Sequence, residues 1–253
     1  MRVLLVDTRS SAVLMDFDGT LAHIVSDPAR AEPLSGGVEV LAALASRFGV
    51  VGVVSGRPAE FLLRHLSGAG PAVKLVGVYG CEWVEEGVVR RAPEVEPWIE
   101  PVRHFLAAAG AEAPEGLGIE DKGVSVTLHW RGVPETEGWA SSFAATWAAR
   151  TGLVLQPGRM AIELRPPVEL DKGLVVERLA QGCRAVCYLG DDTGDLVAFE
   201  ALDRLAAKGA EAVRVAVADE ESPPELSASA DLVLRGPAEA LEVLRALTGA
   251  IGT

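Results

Sequence analysis

Residues 11–24 read SAVLMDFDGTLAHI, a short apolar run that delivers two carboxylates, Asp16 and Asp18, one residue apart. An apolar run of this length bounded by turn signals reads as a buried strand. Alternate residues leaving a strand share a side, so Asp16 and Asp18 can face one point while Phe17 packs away. Gly19 supplies the backbone freedom that a tight exit requires. Two like charges so close need a compensating cation or an unusual proton balance.

Three further stretches of this kind follow, each at an expected strand-to-helix junction. The run GVVGVVS (49–55) leads into Ser55-Gly56-Arg57-Pro58, where Pro58 suits the first turn of a helix. A hydroxyl beside the free N–H groups of a helix start is a ready anion site. Asp171-Lys172-Gly173 precedes LVVERLA. Asp171 is a natural N-cap, but Lys172 opposes the helix dipole, which implies an anion nearby. Last comes Gly190-Asp191-Asp192-Thr193-Gly194-Asp195, three more carboxylates on one loop. Taken singly, these are a turn, a helix cap and a solvated acidic loop. Taken together, up to five carboxylates and one lysine converge, and hard oxygen donors of that kind suit Mg²⁺.

The rest of the chain supplies the frame. Besides residues 12–15 and 50–54, VKLVGVYG (73–80), AVCYLG (185–190) and AVRVAVA (212–218) read as buried parallel strands. SGGVEVLAALASRF, PAEFLLRHLSG, KGLVVERLAQG and TGDLVAFEALDRLAAKG read as helices between them. This alternation predicts an α/β fold, a doubly wound, Rossmann-like parallel sheet that binds ligands at the carboxyl ends of its strands. The rhythm breaks between 94 and 165. In GVSVTLHWR, Val124, Val126, Leu128 and Trp130 alternate with Ser125, Thr127, His129 and Arg131. MAIELR repeats the pattern, with Met160, Ile162 and Leu164 opposed to Glu163 and Arg165. Period-two alternation marks an antiparallel sheet with one buried face. The expected division is a discontinuous core, 1–93 and 166–253, carrying a smaller inserted α/β domain at 94–165.

Composition narrows the function classes. With 253 residues, 49% of them hydrophobic, the chain can fill one large domain or two modest ones. Its net charge of −13 argues against nucleic-acid or anionic-membrane binding, which needs clustered Lys and Arg. A small phosphorylated substrate needs only a local positive pocket. The 3 cysteines make no disulfide framework; Cys183 and Cys187 flank an apolar run and are expected as buried thiols. MRVLLVD is too short for a signal-peptide core, and no stretch approaches the ~20 apolar residues of a membrane span. A soluble monomer of the reducing cytoplasm is expected.

The four junctions resemble the four motifs of the haloacid dehalogenase superfamily. The resemblance implies that Asp16 is the nucleophile, forming an aspartyl-phosphate, and that Asp18 protonates the leaving oxygen and then activates water. It implies Mg²⁺ on Asp16, the main-chain carbonyl of Asp18 and Asp191, with Asp192 and Asp195 supporting the ion or Lys172 from further out. Lys172 and Ser55 would engage the phosphate, and Thr20, Gly56 and Arg57 would line its site. Within the superfamily, IEDKGVSVTLHWR and GRMAIELRPPVELDKG resemble the trehalose-6-phosphate phosphatases, whose inserted cap shows a Lys-x-x-Ser-x-x-x-His strand and a later Glu strand. Here these positions are Lys122, Ser125, His129 and Glu163, which the resemblance assigns to sugar binding. Gly194 and Leu196 stand where the family usually has Thr and Glu, and Tyr79 where a His is frequent.

The implied activity is Mg²⁺-dependent hydrolysis of trehalose 6-phosphate, with a functional link to a trehalose-6-phosphate synthase. Other expectations share the motifs: a phosphatase for sucrose phosphate or a glycosyl-glycerate phosphate, or a sugar phosphomutase. A non-catalytic sugar-phosphate sensor would have no need of a nucleophile.

Overall fold

A computed structural model describes residues 1–25, 30–218 and 222–249. The chain forms two compact units, Met1–Arg90 with the chain from Leu170 onward, and Arg91–Glu169. The second begins and ends a few residues outside the expected 94–165.

In the first unit, β1 (Ser11–Met15), α1 (Gly37–Arg47), β2 (Val50–Val54), α2 (Ala59–Leu66) and β3 (Val73–Gly77) alternate. A hairpin follows, β4 (Glu82–Glu85) and β5 (Val88–Arg91). The second unit holds α3 (Ile99–Glu112), β6 (Gly118–Asp121), β7 (Val126–His129), α4 (Glu137–Thr151), β8 (Val154–Gly158) and β9 (Ala161–Arg165). The first unit resumes with α5 (Lys172–Leu179), β10 (Ala185–Gly190), α6 (Leu196–Ala207) and β11 (Glu211–Ala218). It ends with α7 (Pro224–Ser229), β12 (Leu232–Arg235) and α8 (Gly236–Gly249).

The large sheet has strand order β12-β11-β10-β1-β2-β3-β4-β5. Pairing is parallel from β12 through β3, and β4 turns back antiparallel to β3. Strand order reverses at β1 and β10, the switch point where sheets of this kind leave a crevice beyond their carboxyl ends. Both faces are covered, as the near-continuous apolar runs require. Along β1, Val13 and Met15 enter one core with Val40, Leu41 and Leu44 of α1. Ala12 and Leu14 enter the other, with Val175 and Val176 of α5 and Phe199 of α6.

Two details depart from the sequence expectation. The strand expected over 73–80 stops at Gly77, because Val78 and Tyr79 take positive φ values of 43° and 56°. The β4–β5 hairpin is an addition, closed by Glu86 and Gly87 with φ of 52° and 76°, the two positive values that tight hairpin turns prefer.

The second unit is a four-stranded antiparallel sheet, β6-β7-β9-β8. Val126, Leu128 and Leu164 pack with Val102, Phe105 and Ala109 of α3 and Ala140 and Ala144 of α4. Phe105 is fully buried, which contributes ~1.5–3 kcal/mol. Val124, Val126, Leu128 and Trp130 are all buried as the alternation predicts, but Ser125 and Thr127 on the opposite row are buried too. Met160 lies in the β8–β9 turn with φ 54° and is not a strand residue. None of the three cysteines forms a disulfide; Cys187 is buried, and that burial pushes its thiol up to about 12. Among the described residues no helix is long and apolar enough to cross a membrane.

Candidate active site

Four sequence junctions meet at the carboxyl ends of the central strands. Asp16 follows β1, Ser55 follows β2 and Asp191 follows β10, while Lys172 opens α5. The Asp16 N–H donates to the Leu189 carbonyl of β10 at 2.9 Å, extending the ladder one residue past Met15. Its Oδ1 accepts from the Phe17 N–H at 2.7 Å. Phe17, fully buried, anchors the turn between the two carboxylates.

Lys172 is 2% exposed and answers the dipole argument directly. Its Nζ lies 2.8 Å from Asp16 Oδ2 and 2.6 Å from Asp195 Oδ1. Burial alone would lower its pKa, but Asp16 and Asp195 hold it well above the ordinary lysine value. The Asp171 side chain caps α5, accepting from the Leu174 N–H at 2.8 Å.

Asp195 organises the acidic loop. Its Oδ1 accepts from Lys172 and from the Tyr188 hydroxyl at 2.7 Å; its Oδ2 accepts from the Asp191 and Asp192 N–H groups at 2.9 and 3.2 Å. Burial opposes this charge, yet Lys172 and the other donors hold the Asp195 pKa below the usual carboxylate range. Gly190 is required beside it, since a Cβ there would lie 2.3 Å from Asp195 Cγ. Tyr188, buried on β10, escaped sequence reasoning because a tyrosine in a strand reads as core. Its pKa is pushed well above the ordinary phenol value by burial and by Asp195.

Asp191 is the unbalanced member. It is 7% exposed, and burial, reinforced by Asp16 and Asp195, pushes its pKa up to about 9. Its Oδ1 receives only a long bond, 3.4 Å, from the Thr20 hydroxyl. Among the described residues no cation pairs with it. Gly19 admits it: with φ 68° and a would-be Cβ 2.0 Å from Asp191 Oδ2, no other residue fits there. Thr20 therefore contacts the acidic loop.

Among the carboxylates of the described residues, one oxygen from each of Asp16, Asp192 and Asp195 lies within 4.8 Å of the others. Asp18 is drawn off by Arg57, whose Nε and Nη2 meet its two oxygens at 2.7 Å each. Asp195 is fully committed to its four donors. A buried, unpaired Asp191 beside Asp16 and the exposed Asp192 is an oxygen-only donor set that fits Mg²⁺.

Ser55 is buried, and its Oγ accepts from the Arg57 N–H at 3.2 Å. Gly56 lies under Tyr79, whose Oη would be 2.6 Å from a Cβ at that position. Glu82, three residues on, accepts from the Ala59 N–H at 2.9 Å and so caps α2.

In the second unit, Lys122, Ser125 and Glu163 come together. Lys122 Nζ is 3.3 Å from Glu163 Oε2, and Ser125 Oγ donates to Glu163 Oε1 at 2.5 Å. His129 stands apart, paired with Glu120 at 2.9 Å, a partner the sequence reading missed. Thr127 lies between Glu120 and Glu163 in the sheet register. Its hydroxyl is the one buried side-chain polar atom without a partner among the described residues.

The fold of the core is of the haloacid dehalogenase-like kind. A haloacid dehalogenase-like hydrolase from Bacteroides thetaiotaomicron shares this fold, with TM-score 0.64 and 15% identity over 94% of this chain and 99% of that one. The chain belongs to the trehalose-phosphatase family, whose family model matches residues 14–233. The trehalose-phosphate phosphatase of Mycobacterium avium (strain 104) is 33% identical over 207 residues, covering 77% of this chain and 52% of the relative. The chain thus spans about half the length of the curated relatives it matches. An Aspergillus fumigatus trehalose-6-phosphate phosphatase structure aligns with TM-score 0.66 and 25% identity over 98% of this chain and 97% of that one.

Proposed function

We propose that this chain hydrolyses trehalose 6-phosphate to trehalose and phosphate through an aspartyl-phosphate on Asp16. The observation that carries the reading is the buried Asp16–Lys172–Asp195 cluster at the sheet's switch point, in a chain of the trehalose-phosphatase family. Asp16 Oδ bonds to phosphorus as the bond from phosphorus to the sugar oxygen breaks, and Asp18 gives that oxygen its proton. Asp18 then takes a proton from water, whose oxygen attacks phosphorus and releases Asp16. Lys172 offsets charge on Asp16 and on the phosphoryl group, and Ser55 donates to a phosphoryl oxygen.

Asp16, the Asp18 carbonyl and Asp191 would hold Mg²⁺, with Asp192 close at hand. When bound, the ion supplies positive charge that lets a carboxylate approach a phosphate dianion. Lys122, Ser125 and Glu163 present the donors and acceptors that sugar hydroxyls need, and His129 with Glu120 adds a second pair. The inserted unit is accordingly read as the substrate-selecting cap. The family reading also links the chain to a trehalose-6-phosphate synthase.

Asp16→Asn is expected to cut turnover by more than roughly 10³-fold, since no neighbour replaces the nucleophile. A variant keeping a tenth of wild-type turnover would show that Asp16 does not attack phosphorus. Activity is expected to vanish in EDTA and return with Mg²⁺. The same chemistry serves other sugar phosphates, and Tyr79 departs from the family's frequent His. Phosphate release from trehalose 6-phosphate, sucrose phosphate and a glycosyl-glycerate phosphate at matched concentration identifies the substrate.

A further inference from the structure

The family resemblance implies that Arg57, next but one to Ser55, lines the phosphate site. The geometry gives its side chain a different partner. Arg57 Nε and Nη2 each lie 2.7 Å from one oxygen of Asp18, a fork-to-fork pair. The guanidinium sits over the Phe61 ring, 4.8 Å from its centroid. Phe61 in turn meets Phe17 edge-on, with centroids 5.5 Å apart and planes at 84°. Phe17 is the buried residue between Asp16 and Asp18. The backbone of Arg57 is tied at both ends: its N–H donates to Ser55 Oγ at 3.2 Å and its carbonyl accepts from Val78 at 2.9 Å. Arg57 is thus a rigid bracket, and the group it braces is the Asp18 carboxylate.

We infer that Arg57 is a positioning residue for Asp18. A fork with two parallel bonds fixes both the distance and the plane of the carboxylate, which a single bond leaves free to rotate. A carboxylate offers about four lone-pair sites, of which the fork takes two. One lone pair on each oxygen remains turned away from Arg57, and a transferred proton can sit there while the bracket holds. The aromatic ledge of Phe61 and Phe17 keeps the bracket in register with the loop that carries the nucleophile. This inference rests on the proposed acid–base role of Asp18.

The test is leaving-group dependence, which a structural role or a phosphate contact does not change. For phenyl phosphate and p-nitrophenyl phosphate, kcat/KM reports only the steps up to departure of the phenol, and p-nitrophenolate leaves without a proton. Arg57→Gln is expected to lower kcat/KM for phenyl phosphate by roughly tenfold or more and for p-nitrophenyl phosphate by less than about threefold. Arg57→Ala should follow the same pattern, and added guanidinium should restore the phenyl phosphate rate. Asp18→Asn serves as the reference and should show the larger selective loss. Equal losses on both esters in Arg57→Gln, with the selective loss intact in Asp18→Asn, would overturn the positioning role and return Arg57 to the phosphate. No selective loss in Asp18→Asn would overturn the acid–base reading itself.

Discussion

Titrating the metal-free protein with Mg²⁺ between pH 6 and pH 8 should show affinity rising steeply with pH, with protons released as the ion binds. The magnitude follows from two buried carboxylates. Burial, with Asp16 as the next cause, pushes Asp191 up to about 9. Burial pushes Asp16 up to about 7, with Lys172 opposing and Asp195 adding to the rise. Both must be ionised to ligate a cation. At pH 7 Asp191 is mostly protonated and Asp16 partly so, and binding should release between about one and about two protons per ion, fewer at pH 8 than at pH 6. The association constant should accordingly rise by roughly 10- to 100-fold per pH unit.

Stability of the metal-free protein runs the other way. Both folded pKa values lie above the unfolded value near 3.8. Their contribution is therefore fully present below about pH 4 and is lost as pH rises through about 7 and about 9. Metal-free protein should weaken across that window, and Mg²⁺ should raise Tm more at pH 8 than at pH 6. Calorimetric titration in buffers of different ionisation enthalpy counts the protons, and thermal melts follow the stability. Affinity independent of pH, with no proton released, would refute the placement of Asp16 and Asp191 at the ion.

Asp195→Asn removes the anion that shares Lys172 with Asp16; breaking such a buried pair costs about 3–5 kcal/mol, or roughly 10 °C in Tm. An unchanged Tm would show that Asp16 alone satisfies Lys172. The lowered pKa of Asp195 has the opposite linkage, stabilising above about pH 4 and failing as pH drops below it. Thr127→Val deletes an unpartnered buried hydroxyl at constant shape and should leave stability unchanged or raise it by about 1 kcal/mol in urea melts. A loss of that size would mean the hydroxyl is bonded after all. Glu163→Ala should cost trehalose 6-phosphate roughly 10- to 150-fold in kcat/KM and p-nitrophenyl phosphate less than about threefold. An equal fall for both would make Glu163 a structural residue.

Much of the frame was legible because it rests on local rules. Apolar runs covered on both faces, an N-cap at Asp171 and period-two alternation in 124–130 each state their structure within a few residues. The hairpin of β4 and β5 was not legible, since Val88–Arg91 is mostly exposed and carries no core pattern. Its turn depends on backbone angles at Glu86 and Gly87 that the residue types only permit.

For the site, local sequence was enough to say which side chains arrive at the strand ends: Asp16, Asp18, Ser55, Lys172 and the acidic loop. Strand polarity and the switch point place them there whatever their rotamers. Which side chain pairs with which was decided only in three dimensions. Lys172 could have chosen any of five carboxylates, and its 2.6 and 2.8 Å contacts select Asp195 and Asp16. Arg57 turned from the anion site to Asp18, and Tyr188 reached Asp195 from inside the sheet. Sequence period fixes the face on which a residue lies. Partner choice among buried charges depends on distances between segments far apart in the chain and on how each buried charge is satisfied, and only the folded packing sets those.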